Sequence, residues 1–310
     1  NCKKKGETPS PDTFERLMKS LNPAELERCL QTCGQHIVGD LRGKQIAVDG
    51  KKLRGSNPKA GKTASDYLLS AFVCENCITI GQEALSDKGN EINLMPALLE
   101  KLNLNDATVS IDAMGTQVAI AKQITEQGGN YLLAVKDNQR TLHDEIRLAF
   151  DVFQPTSTHE ELDYGHGRIE QRICRIMPAA NITDSETLCR WPGLETIIEV
   201  SSITTKDNAT TTMTRHFISS SKGSEAADYN ASVRNHWAVE NNQHWHLDVT
   251  YREDQCRTRS RFAPQNLSIL RKMSLQIMKS ATDKKSVRKR LFRSAIDPDY
   301  LVNLLLKYNF

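Results

Sequence analysis

The spacing of apolar residues changes period several times along the chain, and each change marks a new element. Between residues 9 and 40 apolar positions recur every three or four residues, the spacing of one helix face. Two helices are predicted there: "TFERLMKSL", started by Ser10-Pro11 or Asp12, and "NPAELERCLQTC", with Pro23 in a first-turn position. From residue 44 the runs "QIAVDG", "YLLSAFVCEN" and "CITIGQEAL" are rich in β-formers and split by turn residues. They predict three strands, the first ending on Asp49-Gly50, with "CENC" as a tight hairpin turn. Helical spacing returns in "EINLMPALLEKLNL".

A strand "ATVSIDAM", a helix "TQVAIAKQITEQGG", a strand "NYLLAVKDN" and a helix "QRTLHDEIRLAF" follow. Such alternation builds parallel strands with crossover helices. Between about 151 and 225 isolated strand-like pieces, "GRIEQRICRIM", "LETIIEVSSITT" and "TTMTRHFISSS", replace it, with no strong helix. Helical spacing resumes in "ADYNASVRNHWAVENNQHWHLDV" and persists through much of the remainder. The expected organisation is therefore a helical segment over 1–40, the first part of an α/β core over 41–150, a β-rich insertion over 151–225, and the second part of the core with basic C-terminal helices over 226–310.

Composition narrows the function classes. At 310 residues and a mean hydropathy of -0.51, the chain has enough length to bury a large core. Its longest apolar run, around "LLSAFV", falls far short of the roughly 20 residues that cross a bilayer, and a cytoplasmic location is expected. The eight cysteines are scattered, as reduced thiols would be. Four thiolates from Cys29, Cys33, Cys74 and Cys77 are a weak zinc set, because the first spacing is loose and the second reads as a turn. A net charge of +3 does not select a partner, but nine Lys and Arg between 271 and 293 face the single acid Asp283. That run suits a polyanion or a solvated amphipathic helix. The chain begins at Asn1, so a truncated start is expected.

Two predicted strands end on a carboxylate, Asp49 in "IAVDG" and Asp112 in "VSIDAM". Acids at such positions also cap turns. A third acid, Glu240, lies on a predicted helix with His236, His244 and Asp248 at four-residue spacing. These form one polar stripe at 100° per residue, flanked by Trp237 and Trp245. The tryptophans are expected to pack the helix against the sheet, with base stacking as the alternative for Trp245. Zinc at His244 and Asp248 lacks further ligands, and a satisfied core network is the inert alternative.

The segments "VDGKKLRGS", "LSDKGNEINLMPALLEKL", "IDAMGTQVAIAKQITEQGGNYLLAVKDNQ", "HGRIEQR" and "RNHWAVENNQHWHLDVTYREDQCRTR" together resemble DDE-type insertion-sequence transposases, specifically the H-repeat-associated branch, over most of residues 9–275. The resemblance implies an RNase H-like α/β core with a β-rich insertion and a short helical N-terminal segment. It also implies a catalytic, metal-binding triad of Asp49, Asp112 and Glu240, with Mg²⁺ as cofactor and Mn²⁺ able to substitute. The implied activity is DNA transposition: phosphodiester hydrolysis at transposon ends, then transfer of the 3′-OH into target DNA. Double-stranded DNA, a homodimer or higher synaptic assembly, and association with the nucleoid come with it. Such chemistry suits three acids, because two hard dications about 4 Å apart, held by carboxylates, stabilise both the attacking and the leaving oxygen.

Family members often carry an arginine where His236 stands, with Arg234 nearby, and a lysine where Leu247 stands; many also have a longer helical start. Lys51, Lys52 and Arg54 are the first expected phosphate contacts, then Lys136, Arg234 and, in the insertion, Arg168 with His166 and Arg172. Arg252, Arg257 and Arg259 are weaker candidates, because Glu253 and Asp254 offer them surface partners. The alternative functions are a catalytically inactive, regulatory DNA-binding remnant and a nuclease without strand transfer.

Overall fold

The N-terminal spacing gives two capped helices, α1 (Pro11–Ser20) and α2 (Pro23–Val38), each with proline in its first turn. The Ser10 hydroxyl accepts from the Thr13 N–H and the Asn22 amide oxygen from the Ala24 N–H, which satisfies donors that a helix start leaves open. The computed structural model describes residues 9–56, 67–84, 91–165, 167–207, 209–223 and 225–307. His166 lies outside the described residues.

Strands β1 (Gln45–Lys52), β2 (Tyr67–Val73) and β3 (Ile78–Ala84) form an antiparallel meander. The "CENC" segment is the turn between β2 and β3. The helical pattern from residue 91 yields a short 3-10 turn and α3 (Met95–Glu100). It stops early, and the Asn103 side chain accepts from the Asn105 N–H at 3.3 Å just beyond it, the kind of local bond that competes with a helix. Then β4 (Thr108–Ile111), α4 (Val118–Glu126), β5 (Asn130–Val135) and α5 (Arg140–Val152) follow the predicted alternation. Both β4 and β5 run parallel to β1.

The β-rich stretch contains β6 (Ser157–Gly165), β7 (Arg168–Pro178), α6 (Ser185–Arg190), β8 (Thr196–Lys206) and β9 (Ala209–Ser219). Two of these elements depart from expectation. Strand β6 is mostly polar and exposed on alternate residues, so apolar alternation does not mark it, and α6 is a six-residue helix capped by Asp184. Through β9 the stretch joins β5, from Leu132 opposite Ser219 to Val135 opposite His216. One nine-stranded sheet results, in the order β3-β2-β1-β4-β5-β9-β8-β7-β6. The insertion is thus an extension of the core sheet.

Strand alternation sends the two sets of side chains to opposite faces. Ile46, Val48, Val109, Ile111 and Leu133 join one cluster with Leu98, Leu99, Ile120 and Ile124 from α3 and α4. Ala47 and Phe72 pack with Val239, and Leu132, Cys174, Ile198 and Phe217 with Tyr229 and Val233 of α7 (Ala226–His236). Beyond α7 come α8 (Ala263–Ser280), α9 (Val287–Ile296) and α10 (Pro298–Lys307), which share a cluster of their own. The α1–α2 pair rests on α8, where the Asn266 amide donates to Met18 O at 2.8 Å and Leu21 O at 2.9 Å. Within the basic run, Lys272 and Arg290 are buried and hydrogen-bonded, so the run is not wholly a solvated face.

Candidate active site

Strand β1 does not stop at Asp49. Antiparallel pairing with β2 continues through Lys52 opposite Tyr67, so Asp49-Gly50 lies within the strand rather than in a turn. What ends there is the pairing with β4, whose last partners are Val48 and Ile111. Asp49 and Asp112 therefore follow matched positions on adjacent parallel strands. Asp112 Oδ1 accepts from the backbone N–H of Met114 at 3.1 Å and Gly115 at 3.4 Å. This fixes its direction and leaves the side chain exposed.

The third wall is the helix after α7, which becomes π-helical over Glu240–His244 and again over His246–Thr250. Residues four apart slightly overshoot an α-turn and fall short of the wider π-turn, so mixing the two keeps Glu240, His244 and Asp248 toward β1. His244 Nδ1 lies 3.3 Å from Asp49 Oδ2 and 3.4 Å from Glu240 Oε2. One ligand atom from each of Asp49, Glu240 and His244 falls within 4.8 Å of the others. Among the described residues this is the one such group, and it contains no cysteine. The zinc pairing of His244 with Asp248 does not form, because Asp248 turns to Lys51.

The electrostatics set the two carboxylates apart. Burial raises Asp49 to about 6; Glu240 and Asp112 push the same way, while His244 and the Gly50 N–H oppose it. Glu240 is lowered, chiefly by its hydrogen bond with His244. Burial lowers His236, against the charges of Asp112 and Glu240. Its Nδ1 sits 3.0 Å from Ser110 Oγ, which also accepts from the Gln45 amide at 2.8 Å. A cavity of about 450 Å³ opens beside Asp112 and is lined also by Lys136, Arg215, His216, His236 and Trp237.

Several expected DNA contacts are placed differently. Lys51 is buried, 9% exposed, and its ammonium is paired with Asp248 and, at 3.2 Å, with Glu253, so it is not presented to a phosphate backbone. Arg234 is held by Glu161 and Asp163, both at 2.8 Å. Arg168 stands 3.4 Å from Glu170 and Arg54 3.9 Å from Asp254. Lys52 and Lys136 are exposed. The tryptophans do not pack the helix on the sheet: Trp237 is 42% and Trp245 53% exposed, and Val239, Gln243 and Leu247 take the buried positions. Arg215 lies over the Trp237 ring at 5.0 Å. His244 was visible in the sequence through its spacing from Glu240, whereas Arg215 and His216 had no local signal because only the β5–β9 pairing brings them here.

Two acids that each follow the last β1–β4 pair, met by an acid and an imidazole from a neighbouring helix, define an α/β protein with a candidate cation centre. The chain belongs to the transposase DDE domain family, whose sequence pattern matches residues 41–277, and to its H repeat-associated branch. The YbfL protein of Escherichia coli (strain K12) is 30% identical over 305 residues, covering 96% of this chain and 80% of the relative. H repeat-associated YhhI of the same strain is 30% identical over 309 residues, with the same coverage. YncI of Escherichia coli O157:H7 is 32% identical over 310 residues, covering 96% of this chain and 78% of the relative. Among solved structures, a piggyBac transposase synaptic complex with hairpin DNA aligns over 96% of this chain and 59% of that one at 10% identity. Its TM-score is 0.44, too loose to define a function. No helix among the described residues is long and apolar enough to cross a membrane.

Proposed function

We propose that the chain is a DNA transposase that hydrolyses phosphodiesters at transposon ends and transfers the resulting 3′-OH into target DNA, with Asp49, Asp112 and Glu240 as its acidic triad. The observation that carries this reading is the convergence of Asp49 with Glu240 and His244 while Asp112 stands one strand away at the matched position. The order β3-β2-β1-β4-β5, antiparallel up to β1 and parallel beyond it, supports an RNase H-like core.

The site residues suit a divalent cation. Asp49 Oδ2 and His244 Nε2 are buried without a hydrogen-bond partner, and carboxylate oxygens are the donors that Mg²⁺ and Mn²⁺ favour. Asp49 and Glu240 would hold the ion, with Asp112 facing the same space. A bound divalent cation neutralises charge on the phosphate and makes a bound water more acidic. In hydrolysis, water adds to phosphorus, the P–O3′ bond breaks, and the products are a 3′-OH and a 5′-phosphate. In strand transfer that 3′-OH loses its proton, attacks a target phosphorus, and the target's own 3′ oxygen leaves as a hydroxyl. His244 keeps Glu240 oriented by donating to it, and burial disfavours the charged form of His236, against the pull of Asp112 and Glu240.

Lys52, Arg54, Lys136, Arg168 and Arg234 are the proposed phosphate contacts; Lys52 and Lys136 are exposed, whereas Arg54, Arg168 and Arg234 would meet a phosphate only by exchanging Asp254, Glu170, and Glu161 with Asp163 for it. Double-stranded transposon ends and target DNA are the partners, a homodimer or higher assembly holds the two ends, and the nucleoid is the site of action. The test is incubation with DNA carrying flanked ends in Mg²⁺ or Ca²⁺, followed by sequencing of products. Nicked and joined products are expected from the parent in Mg²⁺, and neither from Asp112→Asn, which should still fold and bind DNA. Cleavage retained in Asp112→Asn overturns the triad; nicks without joined products leave a nuclease; no product at all from the parent leaves the regulatory remnant.

A further inference from the structure

The side chains just below the cation centre repeat its geometry with the opposite chemistry. Asp49 and Lys51 are two apart on β1 and so point to the same face; His244 and Asp248 are four apart on the helix. Asp49 meets His244 at 3.3 Å, and on the next rung Lys51 meets Asp248. Behind them sits Glu253, its side chain 1% exposed, with Lys51 at 3.2 Å and Arg271 at 3.6 Å. Both Glu253 oxygens lack a hydrogen-bond partner, so these two ion pairs, with the charge of buried Lys272 beyond them, balance its charge. Lys272, buried on α8, donates to Ser70 Oγ at 2.7 Å and to Gln82, which ties α8 to β2 and β3 beside the same network.

A lysine this deeply enclosed by two carboxylates does not serve as a mobile phosphate contact. It does link the strand that carries Asp49 to the helix that carries Glu240 and His244. We propose that Lys51 is a positioning residue for the cation centre: its rung with Asp248 and Glu253 sets the spacing of Asp49 against Glu240 and His244, so the ligands are held ready without the ion. This rests on the reading of that cluster as a divalent-cation site.

Position and charge predict opposite signs. A positive charge near a dication site repels the ion, so a purely electrostatic Lys51 would tighten metal binding when removed. A positioning Lys51 would weaken it, as outer partners of metal ligands do when lost, typically by 10–100-fold. Lys51→Met alone leaves Glu253 short of a partner and is prone to unfold. Lys51→Met with Glu253→Gln removes the two charges together and is the variant to measure, its folding checked by circular dichroism. The probe is Mn²⁺ alone, titrated calorimetrically into the full chain, with Asp49→Asn as a control and DNA binding measured in EDTA over a range of salt.

A loss of Mn²⁺ affinity of about tenfold or more, with metal-free DNA affinity and its salt dependence unchanged, is the expected result. Unchanged or tighter Mn²⁺ binding overturns the proposal, as does a flatter salt dependence with parental Mn²⁺ affinity, which returns Lys51 to the phosphate contacts. If Asp49→Asn also keeps parental Mn²⁺ affinity, the cation centre itself is withdrawn; if Asp49→Asn loses it and the double variant does not, only the role of Lys51 falls.

Discussion

Lys272 shows how far a single residue can depart from its apparent role in the sequence. It belongs to the basic run that suggests a polyanion, yet it lies on the buried side of α8 at 2% exposure. Burial lowers its pKa to about 8; Lys51 adds to the effect, while Glu253 and Glu27 oppose it. Between that value and the ordinary one of 10.5, the unfolded chain binds more protons than the folded one, so this group makes stability rise with pH; below about 8 both states are charged and the cost is fully present. Relative to Lys272→Met, the parent should therefore gain about 2 kcal/mol between pH 7.5 and 9.5, read as the difference between their urea unfolding curves at the two pH values. A difference that stays flat across that window would mean the ammonium is solvated. The hydrogen bonds lost to Ser70 and Gln82 do not vary with pH and so cancel.

At the scale of the element, the helix after α7 is the most informative. Helical spacing of Glu240, His244 and Asp248 was legible, and it identified the stripe that meets β1. The direction of the tryptophans was not. Large aromatics on an amphipathic helix usually face inward, but the π-helical turns shift the buried side to Val239, Gln243 and Leu247. Gln243 bonds Thr79 there, and the Lys279 ammonium reaches Asn242 O at 2.7 Å, fastening the helix to β3 and α8. Leu247, fully buried, should cost about 2–5 kcal/mol on change to Ala, whereas Trp245→Ala should stay within about 0.5 kcal/mol, as exposed substitutions do. Chemical denaturation of both variants decides it. The reverse order would place Trp245 in the core, and unchanged stability with weaker DNA binding for Trp245→Ala would favour base stacking.

For the whole molecule, the sheet order decides which cations are free to meet DNA. Acids from distant segments cover several basic residues: Asp248 and Glu253 hold Lys51, and Glu161 and Asp163 of β6 hold Arg234 of α7. Lys52 follows Asp49 on β1 and Lys136 follows β5, and neither has an ion-pair partner at salt-bridge distance among the described residues. If both contact phosphates, changing them together to Ala should flatten the slope of log K against log salt on duplex DNA by about 1.8, close to 0.9 for each contact. Arg234→Ala should instead loosen the β6–α7 junction and alter the slope little. Filter-binding titrations across salt concentrations distinguish the two, and an unchanged slope for Lys52 and Lys136 would move the DNA path to another face.

The order of elements and the strand and helix assignments over most of the core were legible in the chain, because periodicity and turn chemistry act over a few residues and leave a local trace; Asp49, Asp112 and Glu240 could be located that way, but their grouping as a triad came from the family resemblance. The match of Asp49 with Asp112 was only half visible: two apolar runs that each lead into an aspartate are a local fact, but the end of their shared pairing, and their adjacency, come from the parallel β1–β4 register at Val48 and Ile111. Strand β6 left no apolar alternation because one of its faces is solvated and the other is largely polar. Lys51 differs from Lys52 in nothing the sequence displays except its parity on the strand. Burial of one and exposure of the other follow from which face of β1 meets the helix that brings Asp248 and the turn after it that brings Glu253, about two hundred residues further along, and contacts of that range have no spacing rule to announce them.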